Sequence, residues 1–356
     1  MTTLSGSICP SLRVDLPEVL PVEETLASGP VAGGSRYLLA PAPAMASGGE
    51  MPGAAIRTAA TGHPVSSATV NLRAVLVFVK PHIAFTFVLV ALTGSLLGRA
   101  GRIAGPLPVS SILLLSCSVA LLSFGAECWT NLRDRDIDSV MARTAKRPLV
   151  IGTISVREAV LLAGVFSLAG LVLAWEAGPV PFVFLSIGFV NNVVVYSMVT
   201  KRATPWSVVL GSLVAPLTLW AGYAAVQVPV SPAAWLLGGM VGIWVFVHIW
   251  VIAVRHRDDY AKAGVPMAPL VWTRAQLAAA LAASGLVMGA LAVGAILALG
   301  GPVAPVAAIA VGVVSVTVTA VAAAVPWRRS LAGPLIHAIT IYLILVLGVA
   351  IGCALR

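Results

Sequence analysis

Asn131-Leu132-Arg133-Asp134-Arg135-Asp136-Ile137-Asp138, followed by Arg143-Thr144-Ala145-Lys146-Arg147-Pro148, closes a long apolar run. It gathers three aspartates and five basic residues in a chain that is 59% hydrophobic and only 10% charged. Carboxylates beside a membrane-length helix are costly to keep unless something polar binds there. A cation and an anionic ligand together would account for both signs of charge.

The apolar run before this stretch decides the fold class. Mean hydropathy is +1.00, far outside the soluble globular range. Working outward, nine apolar segments are long enough to cross a bilayer, which takes roughly 20 residues each. They lie near 74–98, 109–132, 158–175, 179–200, 205–226, 232–254, 275–299, 302–325 and 334–355. The expectation is an all-α integral membrane protein with nine transmembrane helices and the lipid bilayer as its surroundings. Glu176-Ala177-Gly178-Pro179 reads as a tight turn between the third and fourth.

The net charge of +9 does not point to nucleic acid, because the basic residues are confined to particular loops. Arg133, Arg135, Arg143, Lys146, Arg147 and Arg157 follow the second segment, and Lys201 and Arg202 the fourth. Arg255, Arg257, Lys262 and Arg274 flank the loop after the sixth, and Arg328 and Arg329 follow the eighth. The opposite loops carry only Arg99 and Arg102. Positive-inside logic puts the N-terminus in the cytoplasm and the C-terminus outside the plasma (inner) membrane. Cys9, Cys117, Cys128 and Cys353 are scattered without metal-ligand spacing and read as small apolar residues. Residues 1–72 are rich in Ala, Pro and Gly and read as a disordered cytoplasmic tail, or as the result of a true start at Met45 or Met51. The segment lacks the layout of a signal peptide. Residues 73–356 form the polytopic domain.

Asp134 and Asp138 are four apart, so on a helix both carboxylates project from one face while Asp136 points elsewhere. Two such carboxylates repel unless a divalent cation bridges them. Mg²⁺ suits the pair, because it takes oxygen ligands and is usually shared with a diphosphate. Arg143, Lys146 and Arg147 offer charge-assisted hydrogen bonds to phosphate oxygens. A second cluster, His256-Arg257-Asp258-Asp259-Tyr260-Ala261-Lys262, falls on the same side by segment count. Adjacent aspartates cannot share a helical face, so one of them binds a second cation while the other caps or orients.

The stretch from Asp134 to Leu149 resembles the first motif of the UbiA-type intramembrane prenyltransferases, and within them is most similar to the protoheme IX farnesyltransferase branch. Lys80-Pro81, Tyr196 with Lys201-Arg202-Ala203-Thr204-Pro205, and His248-Ile249-Trp250 followed by Asp258-Asp259-Tyr260 through Gly264-Val265-Pro266-Met267 also agree. The similarity runs from about 74 to 355. It implies a nine-helix bundle with a cytoplasm-facing active site. It implies Mg²⁺ on Asp134, Asp138, Asp258 and Asp259, and a prenyl diphosphate, farnesyl by the branch. That ligand would be bound through Thr130, Asn131, Arg143, Lys146, Arg147, Tyr196, Lys201, Arg202 and Tyr260. His248 would touch the acceptor, protoheme in this branch. Some positions depart from the pattern. Thr130 stands where the superfamily usually has Asn, Val247 replaces a Pro, and the fifth segment reads Gly211-Ser212 through Ala215-Pro216-Leu217-Thr218-Leu219-Trp220 without the usual double proline. These departures favour a second reading, an aromatic or other small lipophilic acceptor. A third, a transporter, would place its acidic residues at the bilayer midplane.

Other polar residues lie within the apolar segments. Glu127, two turns before Asp134 on nearly the same face, is a functional suspect as an intramembrane carboxylate. Asn191 and Asn192 are expected to bond between helices. His82 and His337 read as helix-packing residues.

Overall fold

The computed structural model of the chain describes residues 71–100 and 109–356. The expected tail lies outside these residues except for its last two, as do Cys9 and Arg102. Among the described residues there are nine helical stretches long and apolar enough to cross a membrane. Their exposed faces carry large aliphatic side chains such as Leu168, Val306 and Ile309. A helix satisfies its own backbone and can leave such a face to lipid.

The first expected segment is broken in two. Helix α1 (Leu72–Val79) ends at Lys80, whose φ of 51° is left-handed, and α2 (Pro81–Ala100) starts at once. Proline at the first position of a helix loses no bond, and it keeps the residue before it out of the helical region. Helix α3 (Val109–Arg133) leads into the short α4 (Arg135–Val140), and α5 (Val156–Ala177) opens on a capping box between Ser155 and Glu158. Helix α6 (Pro179–Val190) continues as a π-helix over Asn191–Thr200. The fifth segment is also divided, into α7 (Ser207–Gly211) and α8 (Val214–Ala224). The remainder is α9 (Pro232–Arg255), α10 (Arg257–Lys262), α11 (Ala268–Val271), α12 (Arg274–Leu299), α13 (Ala304–Ala324) and α14 (Ala332–Ala354).

Small residues set the closest crossings, as expected where lipid removes the hydrophobic drive for helices to associate. A Cβ on Gly222 would sit 2.0 Å from the Ala91 carbonyl oxygen, and one on Gly94 2.0 Å from that of Leu219. Helices α2 and α8 therefore touch backbone to backbone, and Ser95 Oγ donates to the Gly222 carbonyl at 3.0 Å. Gly125 and Gly170 likewise let α3 close on α5, and Gly285 and Gly289 of α12 make room for the Thr319 and Ser315 side chains of α13. Helix α9 runs through the middle of the largest apolar cluster, with Leu237, Met240, Val247 and Trp250 buried. Its last turn carries the second acidic cluster to the same end of the bundle as α4. There Ile137, Val265 and Met267 form a small core with Tyr196 and Tyr260 packed on it.

Candidate active site

Asp134 caps α4, and the Asp138 amide donates to the Asp134 carbonyl at 2.8 Å, so the two aspartates bracket one helical turn. Both are buried, at 1% and 4% exposure. Each carries a cation brought from elsewhere in the fold: Lys201 Nζ donates to Asp134 and Arg147 Nη1 to Asp138. Asp136 faces outward, as its register predicts. Arg202 grips it through two bonds of 2.6 Å and also donates to the Arg133 carbonyl at 2.6 Å. The Arg202 bonds hold the Asp136 carboxyl down at about 2, with burial pulling weakly the other way. For Lys201, burial works against the charge, but Tyr196 and Asp134 beside it outweigh that and the net shift is upward.

The π-helix positions Lys201. Its wider turns rotate the end of the fourth segment, and the Lys201 amide bonds the Tyr196 carbonyl at 2.9 Å. Its ammonium lies 5.7 Å from the Tyr196 ring centre, within cation–π range. Gly211 of α7 makes room for that ring, since a Cβ there would lie 2.8 Å from it. Insertions of this kind are frequent at functional sites and have no compositional signature.

Asn131 joins the loop to the bundle interior. Its amide donates to the Phe78 carbonyl at 2.9 Å, and its side-chain oxygen accepts from Arg147 at 3.2 Å and from Lys80 at 3.4 Å. Lys80 also pairs with Glu127. A continuous polar chain thus runs Glu127–Lys80–Asn131–Arg147–Asp138. Sequence reading left Glu127 without a partner and Lys80 as a bare family match. The structure joins them, and the left-handed turn at Lys80 aims its side chain. Glu127 also lines a cavity of about 60 Å³ among α2, α3, α6 and α8, whose other walls include Phe87, Leu122, Phe189, Asn192 and Thr218. Thr130 is half-buried, and its side chain makes no hydrogen bond among the described residues. Asn191 donates to the Leu210 carbonyl at 3.1 Å, the interhelical role expected of it.

In the second cluster Asp258 pairs with Arg329 at 2.9 Å, and Arg329 also donates to the Arg255 carbonyl. Asp259 and Tyr260 are half-buried. His256 has its pKa lowered by burial first and then by Arg143 and Arg255, with Asp259 opposing. Arg143 of the first loop thus lies close enough to His256 of the second for its charge to act on it. Arg143 and Lys146 are exposed and pair with no carboxylate among the described residues. His248 stacks on Trp244 with ring centres 5.1 Å apart, and its Nδ1 is buried without a partner.

The residues of the first cluster fit a hard divalent cation. Asp134 and Asp138 are oxygen donors on one turn, and the second oxygen of Asp134 is buried with no hydrogen-bond partner. Orphaned buried acceptors are uncommon and want a ligand. Among the described residues no three His, Cys, Asp or Glu side chains converge in a metal-holding group. The second cluster therefore does not join the first as one immediate ligand set.

Residues 87–334 match the model of the UbiA prenyltransferase family. The chain belongs to the UbiA prenyltransferase family, as a multi-pass membrane protein. A protoheme IX farnesyltransferase of Thermoplasma volcanium is 40% identical over 157 residues, 44% of this chain and 54% of that protein. The chain thus spans little more than half the length of that relative. One of Pyrobaculum arsenaticum is 34% identical over 247 residues, 68% of this chain and 86% of the relative. A UbiA homologue from Archaeoglobus fulgidus, solved with GPP and Mg²⁺, shares the fold with a TM-score of 0.61 at 20% identity, over 78% of this chain and 99% of that one. The structure of a digeranylgeranylglyceryl phosphate synthase superposes with a TM-score of 0.59 at 17% identity, over 80% of this chain and 98% of that one.

Proposed function

We propose that the chain transfers a farnesyl group from farnesyl diphosphate to protoheme IX, giving heme O. The observation that carries this reading is the Asp134–Asp138 turn: two buried carboxylates, one oxygen left over, and cations held against both. The relatives named as protoheme IX farnesyltransferases support the choice of donor and acceptor. Asp134 and Asp138 would hold one Mg²⁺ and the Asp258–Asp259 pair a second, and the metal would neutralise charge developing on a leaving diphosphate.

Arg143 and Lys146, unpaired with any described carboxylate and exposed at the mouth, meet the incoming diphosphate first. Arg147 and Lys201, already fixed by their aspartates, present N–H groups that need not reorganise as charge develops on the leaving oxygens. Asn131 and Thr130 line the same turn, and Arg202 locks the outer face of α4. The apolar faces of the helices around the site would shield the isoprenoid chain and keep water from the allylic cation. The rings of Tyr196 and Tyr260 face that end of the bundle and stabilise the positive charge. In the overall reaction the C1–O bond breaks and pyrophosphate leaves. A vinyl carbon of the acceptor bonds C1. Water then supplies the hydroxyl on the neighbouring carbon and gives up a proton. His248 is the acceptor contact. The Lys/Arg-rich loops at this end of the bundle support an orientation in which it would face the cytoplasm.

The test is incubation of purified protein with farnesyl diphosphate, Mg²⁺ and protoheme, followed by mass spectrometry. A hydroxyethylfarnesyl heme supports the reading. Pyrophosphate release only with aromatic acceptors moves the function to the second reading, and no release with any acceptor refutes both.

A further inference from the structure

A groove of about 690 Å³ runs between the end of α9 and the start of α14, lined by Arg255, Arg329, Gly333 and His337. None of the roles above uses it. The Arg255 guanidinium lies against Gly333, since a Cβ there would come within 2.9 Å of Arg255 Nη1. Its guanidinium makes no ion pair among the described residues, while its carbonyl anchors Arg329. Four residues along α14, His337 Nδ1 lies 3.1 Å from the Gly333 carbonyl oxygen. A carbonyl oxygen only accepts, so Nδ1 carries the hydrogen. In the neutral ring the Nε2 lone pair is then free, the arrangement that metal-ligating histidines adopt. His248 lies two turns before Arg255 on the same face of α9. The two turns separate His248 from Arg255 by about 10 Å along the helix.

The groove therefore offers a metal ligand at one depth and a carboxylate-binding guanidinium at another. We infer that this α9–α14 groove is the acceptor subsite. It takes a metal-centred planar macrocycle bearing carboxylates, with Arg255 clamping a carboxylate and His337 Nε2 facing the metal. Arg329 ties the groove to the diphosphate end, because its other bond goes to Asp258. The inference rests on the acceptor reading above and adds where and by which atoms the acceptor is held.

The test is a titration of ferric protoheme, and separately of its dimethyl ester, into the full chain in neutral-lipid nanodiscs, read by visible absorption. Arg255→Gln and Gly333→Ala weaken binding of the diacid about tenfold, the worth of one charge-assisted hydrogen bond, and leave the ester unchanged. Gly333→Ala acts by displacing the Arg255 guanidinium, and unchanged binding of the ester by both variants excludes general unfolding. His337→Ala shifts the Soret band of both ligands. If all three variants bind and report like the parent while protoheme is still farnesylated, the groove assignment is overturned and the acceptor reading stands. If the parent neither binds nor farnesylates protoheme, both fall. If adding phosphatidylglycerol to the nanodiscs abolishes the preference for diacid over ester, the groove is a lipid-headgroup site and the inference fails.

Discussion

Replacing Lys201 by Met removes the one countercharge from a carboxylate that has almost no access to water. Asp134 is 1% exposed, and one of its oxygens already lacks a partner. Breaking a buried pair from one side costs about 3–5 kcal/mol, because the remaining charge is stranded. At about 2 °C per kcal/mol for a chain of this size, Lys201→Met melts about 6–10 °C below the parent. The control is Arg202→Met. Its partner Asp136 has a side chain 66% exposed, so although it makes more bonds, its loss costs only about 0–1 kcal/mol. Adding Asp134→Asn to Lys201→Met removes the stranded charge and recovers most of the melting temperature. Mg²⁺ adds a second arm. If Asp134 is a metal ligand, Mg²⁺ raises the melting temperature of Lys201→Met more than that of the parent, because the ion supplies the missing countercharge. It does nothing for the double variant. Thermal melts followed by tryptophan fluorescence in detergent, with and without Mg²⁺, read all of this. The reasoning is refuted if Lys201→Met and Arg202→Met melt within about 2 °C of each other.

Gly222→Val drives a side chain into the Ala91 carbonyl, so it separates α2 from α8. It lowers the melting temperature more than Gly164→Val, whose added Cβ meets nothing. Lys80→Met strands Glu127 and costs about 3–5 kcal/mol, whereas Lys80→Met with Glu127→Gln costs less than Lys80→Met alone; a double-mutant cycle measures the difference. His256 titrates below the ordinary histidine range, and Arg143→Gln brings it part of the way back, which NMR of labelled histidine follows. Its lowered pKa means the unfolded chain binds the proton first. His256 therefore costs nothing above the ordinary range and withdraws stability as pH falls from there toward its folded pKa.

Hydropathy alone located the membrane crossings, because lipid demands unbroken apolar length and little else. The breaks inside those crossings were less legible. The first segment read as unbroken over 74–98, although Pro81 marks where α1 ends, and the left-handed turn at Lys80, whose ammonium reaches Glu127, shows only in the fold. The π-helix at Asn191–Thr200 and the division of α7 from α8 have no residue signature. The acidic turn was legible from the four-residue spacing of Asp134 and Asp138, and Asp136 faces away as that register requires. Its ion-pair partners were not. Lys201 lies 67 residues from Asp134 and Arg329 71 from Asp258, and only the fold brings them together. His337 read as a helix-packing residue, whereas in the structure it bonds within its own helix and opens onto a groove.

The central claim is that the Asp134–Asp138 turn activates a prenyl diphosphate. The most direct measurement is pyrophosphate release from farnesyl diphosphate by the parent chain and by Asp134→Ala and Asp138→Ala, with protoheme present and with Mg²⁺ supplied or chelated. The account predicts release by the parent only with Mg²⁺, and none by either variant when both remain folded by their melts. Release that persists in the variants, or that ignores chelation, would contradict it.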